Sequence, residues 1–443
     1  MLTLSSMLPT INPSECNDTT DLTACPQPQF QAVLFYFSLY LVAFAQGGHR
    51  PCVQALGADQ FDENNPEECK ARSSFFNWWN FGVYAASLAT NLPLNYIQDN
   101  ISWTFGFGIP WIIMAIGLAI FLLGTRFYRY HIIEDKNPFA KIWKAFVALI
   151  SSWQRTSFAT SRNGAGEALL PRASQHTRHS GYSQHESIDE VDGQGEEAKG
   201  LLQLFPIWAT CLTSSVVLSQ ATTLFIKQAS TLDRRIGTGF QVPPASLGSL
   251  TGISAIVFIP IYDRVIVPIA RNFTGLLTGI TMLQRIGTGI SFSVIMMVVA
   301  ALVEMKRLQT ARDFGLVDMP DATIPMSTWW LLPLYVLNAI VFVLAFVGLQ
   351  ELFYDQVPNE MRSLGLALYA SVSGIGEFFG GFLVFVIDKV TGSRGESWFS
   401  DNLNHAHLDY FYWLLAVLTF IQLGLYLYFA RSYVHKKNVP IAL

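Results

Sequence analysis

The chain has 443 residues, of which 51% are apolar and only 14% are charged, whereas a typical soluble protein carries about 25% charged residues. Mean hydropathy is +0.33. So few charges cannot cover the surface of a soluble fold of this length, and the composition therefore argues against a soluble enzyme. The formal net charge of −4 argues against a nucleic-acid-binding protein, which would present a basic stripe.

Nine stretches are long and apolar enough to form membrane-spanning helices, which need about 20 apolar residues each. They are 28–46, 75–97, 104–126, 201–229, 247–270, 275–303, 328–354, 361–388 and 408–431. The stretches 75–97 and 201–229 carry several Asn, Gln or Lys residues. Polar residues at membrane depth are costly and usually face a cavity, so these two helices are candidates for lining one.

The only long hydrophilic stretch is 127–200. Its segment Lys141–Trp153 has apolar residues at helical spacing beside two lysines, which predicts an interfacial amphipathic helix. The segment Arg155–Lys199 is rich in Ser, Gly, His and acidic residues, and this composition predicts disorder. Its histidines fit a solvated linker better than a metal site, and the five cysteines form no CxxC pair, so we expect no metal and no cofactor.

Basic residues are distributed unevenly between alternate loops. Of 28 Lys and Arg, 19 lie in or at the edges of one set of loops, at 47–74, 127–200, 264–274, 355–362 and the C-terminal tail, whereas 7 lie in the opposite loops. The positive-inside rule predicts that 127–200 and the C-terminus are cytoplasmic. The segment 9–27, which has no Lys or Arg and contains the sequon at Asn17, is then external.

Only three predicted helices precede the 127–200 stretch, whereas six follow it. Many transporters consist of two six-helix halves. We therefore expect a partial N-terminal bundle at 1–126, a linker at 127–200 and a complete six-helix bundle at 201–443.

Several motifs resemble the plant nitrate and peptide transporter family, a proton-dependent oligopeptide transporter branch of the major facilitator superfamily. They lie in chain order over almost the whole sequence outside the linker, at 47–52, 57–62, 74–79, 232–234, 262–264, 282–287, 351–356, 401–404 and 407–412. The resemblance implies an all-α membrane protein with twelve helices, of which about nine are present here. It also implies a multi-pass transporter in the plasma or vacuolar membrane that moves small molecules together with protons, and implies no nucleic-acid partner.

Arg50 and Glu351 match family positions at which a basic residue of the N-terminal bundle pairs with a carboxylate of the C-terminal bundle. Such a pair would favour one open state, and protonation of the carboxylate would remove the attraction. The alternative is that Arg50 extends to the lipid headgroups and Glu351 caps a helix end. Glu377 lies among glycines that favour close helix packing, and it is a candidate second titratable site.

Residues at helical spacing are candidates to line the substrate cavity. Asn80 and Tyr84 are four residues apart and are expected on one helix face, as are Gln220 and Lys227, which are seven apart. The alternative for the two amides is that they join helices by hydrogen bonds. Tyr354, within the 351–356 motif, completes the candidate cavity set.

Two positions differ from the better-known family members. Tyr84 stands where peptide-transporting members usually have Asn, and Leu218 stands where the nitrate-transporting type has His. The resemblance thus leaves the solute open among peptides, nitrate and plant metabolites.

Two functions are compatible with these patterns. The first is a proton-coupled transporter of a small polar or anionic solute. The family's first helix carries a Glu-x-x-Glu-Arg/Lys motif that this sequence does not contain. The second is therefore a truncated non-transporting relative, or a gene-model fragment, that acts at most as a membrane interaction partner. Without the three missing helices, the faces bearing Asn80 and Tyr84 are expected to meet lipid or a gap.

Overall fold

The computed structural model describes residue 3 and residues 29–62, 65–129, 204–236, 240–276, 279–320, 322–357, 361–393 and 397–433. Nearly all of the predicted linker, with its amphipathic and disordered segments, the external sequon and the end of the C-terminal tail lie outside these residues.

Nine helical spans are present in the described part of the chain. They are α1 Gln29–Ala58, α2 Pro66–Asn100, α3 Trp103–Leu123, α4 Leu204–Thr231, α5 Pro244–Thr274, α6 Met282–Asp313, α7 Thr328–Asp355, α8 Arg362–Gly392 and α9 Leu408–Ser432. All except α2 contain a window apolar enough to cross a membrane. This architecture confirms the predicted all-α membrane protein.

Local sequence signals set several helix ends. Pro66 begins α2 after Asn65, whose side chain accepts a hydrogen bond from the Glu67 backbone N–H. Thr281 and Gln284 form a reciprocal capping box at the start of α6. Gly275 has a φ of 71° and ends α5, because glycine adopts this left-handed conformation without steric cost.

Several predicted helix ends are wrong, and two of the helices show why. The first helix does not end at 46 but continues through Pro51 to Ala58, because Ala55 and Ala58 are buried in a cluster with Phe76. Residues 47–58 are therefore helix and not loop.

The helix predicted at 275–303 instead spans Met282–Asp313. Two glycines with positive φ, Gly275 and Gly279, precede it. The helix continues past 303 because Glu304 and Arg307 are buried and hydrogen-bonded to each other, so these charges do not end it.

The last six helices pack around a large apolar core, in which α6 and α9 contact each other over most of their length. The helix α8 approaches α4 closely at Gly376, where a Cβ atom would clash with the Leu212 carbonyl and with Ser215. The first three helices meet this group through α1 on α8 and through α2 on α5 and α7.

Four short strands are present among the described residues. Leu232–Asp233 pairs in parallel with Ile324–Ser327, and Arg235–Ile236 pairs antiparallel with Phe240–Gln241. Three of them lie between α4 and α5, and the fourth lies between α6 and α7.

Candidate functional site

One face of α2 presents polar side chains to the last six helices. Ser73, Ser74, Asn77 and Trp78 repeat at helical spacing and all donate or accept hydrogen bonds across this junction. Together with Asp263, Arg285 and Glu351 they form what we call the central network.

Glu351 of α7 is buried between two helices. Its Oε2 atom lies 3.2 Å from the Arg285 NH1 atom of α6, and its Oε1 atom accepts a hydrogen bond of 2.8 Å from the Ser73 hydroxyl. The NH2 group of Arg285 donates to the Asn77 side-chain oxygen at 2.6 Å and to the Val343 carbonyl at 2.8 Å. The charged pair thus lies within the last six helices, and neutral groups of α2 attach to both partners.

Asp263 is the second carboxylate of the central network, and α2 supplies three donors to it. Ser74 and Asn77 donate to its Oδ1 atom at 2.8 and 3.0 Å, and the Trp78 indole N–H donates to Oδ2 at 3.0 Å. Asp263 lies in a π-helical segment, Tyr262–Ile266, at which α5 makes a wider turn. Such segments are rare and frequently occur at functional sites.

Two ion pairs lie at the rim of this junction and join the two groups of helices directly. The Asp59 carboxylate, just after α1, lies 2.9 Å from Arg362 and accepts a hydrogen bond of 2.5 Å from the Tyr354 hydroxyl. Arg72 of α2 lies 3.1 Å from Asp355. We call Asp59–Arg362 and Arg72–Asp355 the rim pairs.

The structure does not pair Arg50 with Glu351. Arg50 lies within α1, eight residues before its end at Ala58, and its side chain is exposed. In the described part of the chain the cation that contacts Glu351 is Arg285. The contacts differ from the predicted pair because the first helix continues past Arg50 to Ala58, and Asp59, directly after it, forms the ion pair across the junction.

Asn80 and Tyr84 share one face of α2, as predicted, and this face packs against α7. The Asn80 amide donates to Gln350 at 3.0 Å, and the Tyr84 ring contacts Phe342 edge-on with 5.3 Å between centroids. Asn80 is 7% exposed. The expectation that this face meets lipid or a gap is therefore wrong, because the last six helices cover it.

Gln220 and Lys227 do not share a face, which corrects the prediction from their spacing. Gln220 is buried and donates to the Val216 carbonyl, whereas Lys227 is exposed. A 3-10 turn, Gln220–Thr222, interrupts α4 between them, and its tighter winding changes the direction of the residues that follow. The buried polar residue of this second segment is Gln228.

Two further candidates are placed apart from the central network. Tyr354 is fully buried and belongs to the rim contacts, with the Arg362 guanidinium 4.6 Å from its ring centroid. Glu377 is exposed on α8 beside Phe378. Leu218, at the position of the family's His, packs at the edge of an apolar cluster.

The sequence analysis missed Arg285, Asp263, Asn77 and Ser73 as site residues. The signal was present, because Asp263 and Arg285 lie in two of the family motifs and are charged residues inside apolar segments. The described residues contain no group of three or more His, Cys, Asp or Glu side chains placed to hold a metal ion.

The comparison with protein families matches residues 1–399 to the POT family. The chain belongs to this family of membrane transporters. It is 54% identical to Protein NRT1/ PTR FAMILY 5.10 of Arabidopsis thaliana over 99% of this chain and 78% of that protein. It is 46% identical to Protein NRT1/ PTR FAMILY 5.11 of the same plant, over 99% of this chain and 79% of that protein. These matches confirm the resemblance to the plant transporter family.

Solved structures show the same fold. An auto-inhibited POT family peptide transporter matches 92% of this chain and 79% of its own with a TM-score of 0.59 and 20% sequence identity. The POT family transporter PepTSo matches 90% of this chain and 78% of its own with a TM-score of 0.58 and 17% identity. The chain thus has the multi-helix membrane fold of these POT family transporters.

Proposed function

We propose that this protein is a proton-coupled symporter of a small polar or anionic solute and that Glu351 carries the proton. The observation behind this proposal is the position of Glu351, a buried carboxylate that contacts Arg285 of α6 and Ser73 of α2 at the same time. A titratable group at the contact between two groups of helices can change the free energy of that contact when it binds a proton.

The ionised and the protonated carboxylate would hold α2 differently. An ionised Glu351 accepts charge-assisted hydrogen bonds, which are roughly twice as strong as neutral ones, and it keeps Arg285 close to Asn77. A protonated Glu351 has no net charge to attract Arg285, and its hydroxyl must find an acceptor. Both changes weaken the attachment of α2 and favour separation of the helices at this end.

The organisation proposed for this movement is two bundles, residues 1–126 and 201–443, joined by the 127–200 linker in the cytoplasm. The central network joins α2 to the last six helices, and the rim pairs join both α1 and α2 to them, so these contacts hold this end closed. The 19-to-7 distribution of basic residues supports a cytoplasmic position for the linker. The plasma membrane and the vacuolar membrane are both compatible with this topology.

The proposed solute is a peptide, nitrate or a small plant metabolite. Its cavity would include the α2 face that carries Asn80 and Tyr84, since both side chains face α7, which must separate from α2 for a solute to enter. Gln220, Lys227 and Tyr354 remain further candidates for this lining. Arg50, exposed on α1, is the cation available to approach the solute or Glu351 when the helices rearrange.

Reconstituted chain in sealed vesicles would test the proposal, with labelled dialanine and labelled nitrate as probes. An inward proton gradient is expected to drive accumulation of at least one probe. Glu351→Gln should abolish this accumulation and retain exchange of solute in the absence of a gradient, because the amide mimics a permanently protonated carboxyl. Asp313→Asn is the matched control, since Asp313 is an exposed carboxylate at the end of α6, outside the central network.

Two results would contradict the proposal. Gradient-driven accumulation that is unchanged in Glu351→Gln would remove Glu351 as the proton carrier. Absence of both uptake and exchange for folded chain would favour the non-transporting relative.

A further inference from the structure

A cleft of about 500 Å³ opens between the first turns of α2 and the last three turns of α5, and Ser74, Trp78 and Asp263 of the central network also line it. Three basic side chains line it, namely Lys70 on α2 and Arg264 and Arg271 on α5. The Arg264 side chain is 75% exposed, and its guanidinium lies 5.5 Å from the ring of Trp78. The cleft therefore has a positively charged wall built from two helices.

The two acidic residues of the cleft only partly offset this charge, although Asp263 Oδ2 lies 3.8 Å from the Arg264 Nε atom. Asp263 is only 5% exposed at its side chain, and both of its oxygen atoms already accept hydrogen bonds from α2. Glu67 is the remaining carboxylate on the wall. The cleft is thus lined by three cations and two carboxylates, and this excess of one positive charge suits an anionic ligand.

The last part of α5 is amphipathic, with its basic face toward the cleft and its apolar face on the opposite side. At 100° per residue, Arg264, Pro268 and Arg271 lie on the cleft face, whereas Ile269 and Phe273 lie on the opposite face. Ile269 is 52% exposed and Phe273 is 86% exposed. A free anion needs no such apolar flank, but the acyl chains of a lipid whose headgroup binds in the cleft would contact one.

From this arrangement we propose that the cleft binds the headgroup of an anionic phospholipid. The leaflet is the cytoplasmic one if the proposed topology holds, and that leaflet carries the anionic lipids that attract basic residues. A phosphate in the cleft would contact Lys70 on one side and the two arginines on the other. It would thereby join α2 to α5 and stabilise the arrangement in which Asp263 holds Ser74 and Trp78.

Purified chain in mixed micelles would test this site by native mass spectrometry and by the midpoint of thermal unfolding. Phosphatidylglycerol and phosphatidylserine should remain bound and raise the midpoint, whereas phosphatidylcholine should not. The double substitution Arg264→Gln/Arg271→Gln should lower the affinity for the anionic lipids about fivefold for each charge removed, and added salt should weaken binding to the unsubstituted protein.

Two further variants separate charge in the cleft from charge elsewhere and from folding. Arg431→Gln removes an exposed arginine near the end of α9, away from the cleft, and should leave lipid binding unchanged. The conservative double substitution Arg264→Lys/Arg271→Lys should retain most of the binding, because it keeps both charges.

Three outcomes would overturn the proposal. The first is equal stabilisation by phosphatidylcholine. The second is an equal loss of binding in Arg431→Gln, which would indicate a general surface effect. The third is stabilisation by inorganic phosphate or glycerophosphate that matches that of the lipids, which would show that the cleft takes a free anion.

Discussion

Two buried arginine–glutamate clusters lie near opposite ends of the same helix, α6. Arg285 near its start belongs to the central network, whereas Arg307, about 33 Å further along the helix axis, belongs to a second cluster. Arg307 lies 2.7 Å from Glu304, and we call these two residues with Gln228, Asn404 and Tyr412 the terminal cluster.

The two clusters differ in how completely their polar atoms are hydrogen-bonded. All three nitrogen atoms of the Arg307 guanidinium donate to described acceptors, and both oxygen atoms of Glu304 accept. In and beside the central network, the buried Nε of Arg285 and Nε2 of Gln350 have no partner among the described residues. Because fewer of its polar atoms are hydrogen-bonded, the central network has fewer hydrogen bonds to lose when its side chains exchange partners.

The clusters also differ in what they join. The terminal cluster connects α4, α6, α9 and the segment before α9, all within the last six helices. The central network attaches α2 to that group through hydroxyl, amide and indole groups. A buried arginine–glutamate pair thus lies wholly among the last six helices at one end of α6, whereas the pair at the other end also carries neutral groups of α2, which we propose can separate from it.

The largest expected effect is that of Arg307→Met. This substitution leaves Glu304 fully buried without its cation, and breaking a buried pair in this way costs about 3–5 kcal/mol of unfolding free energy. The midpoint of thermal unfolding of the purified chain should fall strongly, or the yield of folded protein should collapse. The double substitution Glu304→Leu/Arg307→Met should recover much of the loss, because it removes both charges. A mild effect of Arg307→Met alone would show that the terminal cluster contributes little to stability.

The matched substitution Arg285→Met should destabilise the protein less than Arg307→Met does. Glu351 keeps its hydrogen bond from Ser73, and separation of α2 would admit water to the carboxylate. We expect a smaller fall in the unfolding midpoint together with altered proton-driven uptake. Equal losses of stability in the two variants would remove the proposed distinction between a permanent and a separable cluster.

The rim pairs should show a modest coupling. The Asp59 side chain is 25% exposed and Arg362 is 8% exposed, so solvent screens part of their attraction. A double-mutant cycle with Asp59→Asn and Arg362→Gln, followed by thermal unfolding, should give a coupling of up to about 1 kcal/mol that decreases with added salt. Strictly additive effects would mean that this pair does not help to hold α1 against α8.

The smallest expected effect concerns the ion pair between Glu68, near the start of α2, and Arg129, which follows α3. The Arg129 NH1 atom lies 2.8 Å from the Glu68 Oε2 atom. The hydrogen bond from Arg129, and then that from the Asp62 backbone N–H, lower the pKa of Glu68 below its ordinary value of 4.5. Because the pKa is lowered in the folded state, the stabilisation is present above that ordinary value and is lost as the pH falls through the folded pKa. Arg129→Gln should therefore lower the unfolding midpoint slightly at neutral pH, and the difference should vanish on acidification. A difference that grows at low pH would contradict this assignment.

Hydropathy and local signals predicted much of the fold. Apolar length located all nine helical spans, and the periodicity of α2 correctly placed Asn80 and Tyr84 on one face. These features depend on residues close in sequence, so a linear pattern contains them. Helix ends were less accurate wherever tertiary contacts extended a helix, as they did at Ala58 beyond Pro51.

The sequence alone determined that this chain is a helical membrane protein, that it belongs to the POT family and that Glu351 is a charged residue at the end of an apolar segment. Only the tertiary structure decided which cation neutralises Glu351. Arg50 and Arg285 are both arginines at helical positions, and no local pattern distinguishes them. The choice depends on how α6 packs against α7 and where α2 crosses them, because a buried charge must meet its partner within about 4 Å.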